Sequence, residues 1–300
     1  MGRGRIVDAL KDGRILVSDG AWGTFLQKLG MQPGESPELW AVEHHDDVVG
    51  IAKSYIDAGS DMVEADSFGG TVFKQEHYGL ADRISEINQA AAKASRSAAG
   101  EDHWVIASIG PTGKLLITEE DQKGADAIYE AFKEQAIALE QGGADAACIE
   151  TMFAIEEAVL AIKAVKENTN MEAICTFTFD RTPKGEYRTM MGVSPARSAT
   201  AAIAAGADII GTNCGNGVDR MVEIVREIHE AEPNAFILLH ANAGLPIIDE
   251  ETGKDVFPDT PEDMARLVPD LVAAGANIIG GCCGSTPDHI RAIKEAVQAL

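Results

Sequence analysis

What the chain lacks narrows its role. No apolar run among its 300 residues approaches the roughly 18 that a membrane-spanning helix needs, so no membrane partner is expected. Cationic side chains are scarce: 25 Lys and Arg stand against 48 Asp and Glu, for a net charge of −23. Such a surface repels phosphate backbones, which removes nucleic acid from the expected partners. A disulfide framework is missing too. The five cysteines are an odd number and two of them are adjacent. The CxxC spacing of structural zinc modules is absent. The first residues, Met1 to Arg5, are basic without the apolar stretch of a signal peptide. A cytoplasmic location follows as the expectation. With no low-complexity segment and no long linker, residues 1–300 are expected to form one domain.

What is present is a repeated phrase. Gly-Ser-Asp at 59–61, Gly-Ala-Asp at 143–145 and 206–208, and Gly-Ala-Asn at 275–277 each precede a short apolar run. Each follows a stretch of helical spacing, as at Asp46–Ala58 and Ala131–Gln141. Glycine just past a helix fits a left-handed cap, and the apolar run reads as a buried parallel strand. Further strands are expected at Ile15–Ser18, Trp104–Ile109, Glu172–Phe179 and Ala235–His240. Eight alternating units over this length point to an α/β architecture, a single-domain (β/α)8 TIM barrel, rather than an open doubly wound sheet.

In such a barrel the chemistry sits where the strands end. Those ends carry Asp19, Glu64 with Asp66 and Ser67, Glu150, Asn213 with Cys214, Asn242, and Cys282 with Cys283. Counted from the Asp or Asn of each phrase, Cys214 and Cys283 hold equivalent places on different strands, with Cys282 beside the latter. Three sulfurs are thereby expected at one point. Soft thiolates select zinc, copper(I) or iron–sulfur clusters, and three of them leave a tetrahedral position for a substrate. Inert buried cysteines are the plainer alternative. Cys148 and Cys175 fall inside strands and read as core, since free cysteine behaves as a small hydrophobe. His289, in Ser285-Thr286-Pro287-Asp288-His289, reads as a residue at the start of the last helix rather than a ligand.

Charge suggests what such a zinc site does. A thiol with a pKa of about 8.5 loses its proton on binding zinc. With three anionic sulfurs already present, a fourth stays electron-rich and suits attack on an activated methyl group. A zinc hydrolase would use histidine and carboxylate ligands, which the strand ends do not supply. A zinc-storage or redox-sensing protein would leave Asp19 and Glu150 without a task.

These residues resemble a known family. Gly280-Gly281-Cys282-Cys283-Gly284-Ser285-Thr286-Pro287-Asp288-His289-Ile290 resembles the zinc signature of homocysteine S-methyltransferases. Gly211-Thr212-Asn213-Cys214-Gly215 resembles the motif of the third cysteine, Asp19-Gly20-Ala21-Trp22-Gly23-Thr24 the opening motif, and Ile149-Glu150-Thr151 the motif of the fourth strand. The resemblance implies that Cys214, Cys282 and Cys283 hold Zn2+ and carry the catalysis. It implies that Asp19 and Glu150 receive the amino group of homocysteine, and that backbone around Gly20, Gly23 and Ser67 or Phe68 seats its carboxylate. Thr24 and Glu64 complete the expected substrate contacts. One departure stands out: the family's Glu-Thr-Asn-Thr-Phe is here Glu64-Ala65-Asp66-Ser67-Phe68, an acid in place of an amide.

Within the family the methyl donors include methylcobalamin, S-methylmethionine and betaine. The run after the paired cysteines is most similar to the homocysteine-binding module of cobalamin-dependent methionine synthase. The expectation is methylcobalamin carried by a separate corrinoid protein, with methionine as product. An S-methylmethionine- or betaine-dependent enzyme, or one acting on another thiol, is the alternative. The oligomeric state is left open.

Overall fold

The computed structural model describes residues 3–114, 122–248 and 255–300. Eight parallel strands lie in one sheet: β1 (Leu16–Val17), β2 (Met62–Ala65), β3 (Trp104–Ile109), β4 (Ala146–Met152), β5 (Glu172–Phe177), β6 (Ile209–Gly217), β7 (Phe236–Asn242) and β8 (Ile278–Gly281). Their order is β1-β8-β7-β6-β5-β4-β3-β2, so the first strand lies against the last and the sheet curls into a (β/α)8 barrel with helices outside. The strand bounds differ from expectation at several ends. β1 is two residues long, and β5 stops at Phe177. β6 runs on to Gly217 because it rejoins β7 at Asn242 after a break in register past Asn213.

The repeated phrase has a structural reason. The glycines at its helix ends, such as Gly206 (φ 102°) and Gly275 (φ 116°), take the left-handed conformation. The acid or amide that follows clamps the strand before it. Asp61 Oδ2 accepts from Val17 N, Asp145 Oδ2 from Val105 N, Asp208 Oδ2 from Ala173 N, and Asn277 Oδ1 from Ile237 N, at 2.8 to 2.9 Å. The backbone N–H of each clamp residue donates back to the carbonyl of the same strand residue, at 2.7 to 2.9 Å. The Asp61 clamp thus joins β1 to β2, where the ladder of regular pairing stops.

Alternation along the strands splits the core in two. Inside the barrel lie Leu16, Met62, Ile106, Cys148, Ile174, Ile209, Leu238 and Ile278, all fully buried. Cys175 faces the outer layer between strands and helices. Both cysteines are core, as their positions within strands implied. An element that the sequence did not announce, the helix Ile6–Lys11, closes the amino-terminal end of the barrel with Ile6, Val7 and Leu10. Its first N–H groups find a carboxylate from β5: Glu172 accepts from Ile6 N (2.7 Å) and Val7 N (3.0 Å). The opposite end is left for the site. Among the described residues, no helix is long and apolar enough to cross a membrane.

Candidate active site

The three expected sulfurs converge. The Sγ atoms of Cys214, Cys282 and Cys283 all lie within 4.8 Å of one another at the carboxyl ends of β6 and β8. Local backbone explains how. Cys214 sits at the break in β6 with φ 56°, a left-handed conformation rare for a residue with a side chain. Gly215 follows at φ 70°, where a Cβ would come within 2.7 Å of Thr178 Oγ1. On β8 the turn is pinned from several sides. Cys282 N donates to Ala241 O (2.7 Å), Ala243 N donates to Cys283 O (3.0 Å), and Ser285 Oγ donates to Cys282 O (2.7 Å). Strain held in place by this much surrounding structure is characteristic of functional sites.

The thiols share charge among themselves. Hydrogen bonds from Cys282 and Cys283 hold the Cys214 thiol far below the ordinary range, and that same bond to Cys214 pushes the other two up. The Asn242 side chain also hydrogen-bonds Cys214, while its Oδ1 is buried without a partner. Three soft donors at one corner, one already inclined to the thiolate, with an orphaned amide oxygen beside them, fit a zinc ion. His289 is not among them. Its Nδ1 accepts from Thr286 N (3.2 Å), capping the helix Pro287–Gln298, and its Nε2 reaches Asp259 O (3.0 Å).

Beside the thiols lies a buried acid cluster. Glu64, Glu150 and His240 place ligand atoms within 4.8 Å of one another. Glu150 is held at both oxygens, by Ser108 Oγ at Oε1 and by Asn213 Nδ2 at Oε2 (2.9 Å). Asp19 Oδ2 accepts from Trp22 Nε1 (2.9 Å) and from Glu64 N (2.8 Å). Burial pushes Asp19 and Glu150 up to about 7 despite these bonds. Glu64, buried beside both and with Oε1 unpartnered, is held well above the usual range. Burial lowers His240 to about 4, so the ring is neutral and its 3.6 Å approach to Glu64 is not an ion pair.

A cavity of about 290 Å3 joins the two groups. Gly20, Gly23, Thr24, Glu64, Ser67, Phe68, Glu150, Cys214, Cys282 and Cys283 all line it, so the structure brings these expected contacts together. Asp19 lies just behind that surface, under Trp22 and Glu64. Gly20 has to be glycine: a Cβ there would meet Ser285 Oγ at 2.7 Å and the Tyr55 ring at 2.9 Å. His240, and the roles of Asn213 and Asn242, which the sequence placed only as strand-end residues, are additions that the sequence reading did not contain. A larger depression of about 350 Å3, between Ala41–His45 and Glu86–Lys93, lies on the outer helices away from the strand ends.

The sequence profile of the homocysteine S-methyltransferases matches residues 16–297. The chain belongs to the homocysteine S-methyltransferase family. Other likenesses agree with that membership. The methionine synthase of Mycobacterium leprae (strain TN) is 30% identical over 95% of this chain. That of Mycobacterium tuberculosis (strain ATCC 25618 / H37Rv) is 29% identical over 98%. The chain spans about a quarter of each relative, 24% and 25% of their lengths. In fold, this family member is similar to the metallated form of the homocysteine methyltransferase MmuM from Escherichia coli. The TM-score is 0.78 at 21% identity, over 96% of this chain and 99% of that one.

Proposed function

We propose that the chain transfers a methyl group to the sulfur of homocysteine, with Zn2+ held by Cys214, Cys282 and Cys283, and gives methionine. The observation that carries the reading is the meeting of three sulfurs and a carboxylate cluster across one small cavity in a member of this family. Zinc held there would supply Lewis acidity, which lowers the pKa of a thiol and keeps its sulfur anionic at neutral pH.

The chain's own residues do the rest. The substrate's sulfur goes to the thiol corner. Its ammonium, with three N–H donors, goes to the acid cluster of Glu64, Glu150 and Asp19. Asn213 and Ser108 fix the direction of the Glu150 carboxylate, and neutral His240 adds no charge to oppose the ammonium. Gly20 and Gly23 let the backbone close on the substrate, with Thr24, Ser67 and Phe68 completing the wall. Holding sulfur and amine at two fixed points turns an encounter into an oriented approach.

For the methyl donor we favour a methylated corrinoid, presented by a corrinoid protein at the rim, on the similarity of the cysteine motif to the homocysteine module of cobalamin-dependent methionine synthase. S-Methylmethionine or betaine is the competing donor. A transfer assay with homocysteine against methylcobalamin, S-methylmethionine, betaine and methyltetrahydrofolate tests both points. Methionine forms with methylcobalamin, and Cys283→Ala lowers the rate at least about a hundredfold, the scale of a lost electrostatic anchor. Full turnover in that variant would remove the role assigned to the thiols.

A further inference from the structure

Two acids that line the cavity, Glu38 and Asp66, are not used by this scheme. Asp66, just past β2, lines the cavity and is only 6% exposed. No hydrogen bond reaches its carboxyl among the described residues, and Oδ2 is wholly buried. Glu38, from the turn Pro37–Leu39 in the same wall, is different. Its Oε1 accepts from Gly69 N (2.6 Å), and its Oε2 from Ser36 Oγ (3.1 Å) and Gln75 Nε2 (2.9 Å). Two acids thus meet at this end of the cavity, one held by three protein donors and one held by none. A buried carboxylate without donors costs several kcal/mol, roughly, unless it keeps its proton.

The rest of the cavity fixes what meets Asp66. Among the described residues, no lysine or arginine lines it. The thiol corner takes sulfur and the acid cluster takes the ammonium. The third group of homocysteine, its carboxylate, is left with the stretch walled by Trp22, Pro37, Asp66, Ser67 and Phe68. Ser67 Oγ is already committed to Ser108 O (2.7 Å). A bare carboxylate against an ionised Asp66 would be repelled at short range in a water-poor space. Against a protonated Asp66 it gains a strong, charge-assisted O–H···O hydrogen bond.

We propose that Asp66 is a specificity-determining residue that meets the carboxylate of homocysteine as a carboxylic acid, so that the pocket takes its substrate together with one proton held on Asp66. The inference rests on the homocysteine reading above. No covalent bond changes: the proton comes from solvent, stays on the Asp66 oxygen and is shared with the substrate. Glu38, from its turn, is the charged group that acts on Asp66, while Glu64, Glu150, His240 and the three thiols line the same cavity. Burial together with the charge of Glu38 holds the Asp66 carboxyl well above the usual range. Lys74, on the helix Val72–Gln75, acts on Glu157 instead.

The test uses the zinc-loaded protein and two readouts. In steady-state transfer to homocysteine, the ratio of wild-type KM to that of Asp66→Asn rises with pH, by up to about tenfold per pH unit once the carboxyl titrates, and the effect falls on KM rather than kcat. The variant's amide N–H donates at every pH, with no proton to take up, so its own KM lacks this dependence. In calorimetry on the wild type alone, in buffers of different ionisation heat, homocysteine on the alkaline side of that titration takes up about one proton more than 3-aminopropanethiol, which keeps sulfur and amine but has no carboxylate. A KM ratio level with pH overturns the proposal, as does equal proton uptake for the two ligands. Tighter homocysteine binding by Asp66→Asn at every pH would show a repelling carboxylate and overturns it too. If homocysteine binds with the expected proton uptake but no donor methylates it, the methyl-transfer reading fails and the role of Asp66 stands. If homocysteine does not bind either protein, both fall.

Discussion

Asn213 makes four hydrogen bonds with one side chain. Its Oδ1 accepts from Thr151 N and Thr176 Oγ1, each at 2.7 Å, and its Nδ2 donates to Glu150 Oε2 (2.9 Å) and Thr151 Oγ1 (2.7 Å). It is therefore what ties the strained Thr151 (φ 59°) and the Glu150 carboxylate to the strand that carries Cys214. Asn213→Ala frees Glu150 to turn, and kcat/KM for homocysteine falls about tenfold or more, mostly through KM. Steady-state kinetics beside Glu150→Gln check this, since the double variant should lose little beyond either single one. The cysteines were legible in the sequence because equal spacing on equivalent strands brings residues to one height of a barrel. The roles of Asn213, His240 and Asn242 were not, because each depends on which atom of a neighbouring strand its side chain meets.

Among the elements, the clamps explain why a glycine followed two residues on by Asp or Asn recurs before the even-numbered strands. The glycine ends the helix and the acid fastens the strand before it, so each phrase sets the height of two neighbouring strands at once. Asp208 carries three partners: Ala173 N (2.8 Å), Lys166 Nζ (2.6 Å) and Arg5 (3.4 Å). Asp208→Ala leaves the Ala173 N–H without its side-chain acceptor and costs about 1–3 kcal/mol of stability, read from a shifted denaturant midpoint with an unchanged slope. Asp208→Asn keeps an acceptor and should cost less. The eight strands and their parallel order were readable because helix, cap glycine and apolar run alternate throughout. The helix Ile6–Lys11 was not, because six residues give little periodicity and its N-terminal partner, Glu172, lies 166 positions away.

For the whole molecule, burying so many acids at one end sets a pH dependence. The folded state raises Asp19 and Glu150 to about 7, above their ordinary values of 3.8 and 4.5. An acid raised by folding binds its proton more tightly in the folded state. Its contribution is fully present below the unfolded pKa and is lost as pH rises through the folded one. The metal-free protein is therefore expected to lose melting temperature between about pH 5 and about pH 8, with a shallower slope in Asp19→Asn. Self-repulsion in a chain of net charge −23 acts in the same direction. Thermal scans across that range, with chelator present, decide it; a melting temperature that climbs toward pH 8 would contradict the burial of charge described here.

The helix across the amino-terminal end has a consequence for traffic. Together with the side chains packed inside the barrel, it makes the site a well rather than a tunnel. Acceptor and donor share one doorway, and the acceptor's seat is the lower. In the proposed transfer the sulfur compound therefore goes down first, the methyl group is lowered onto it from above, and the spent donor steps aside before the product climbs out.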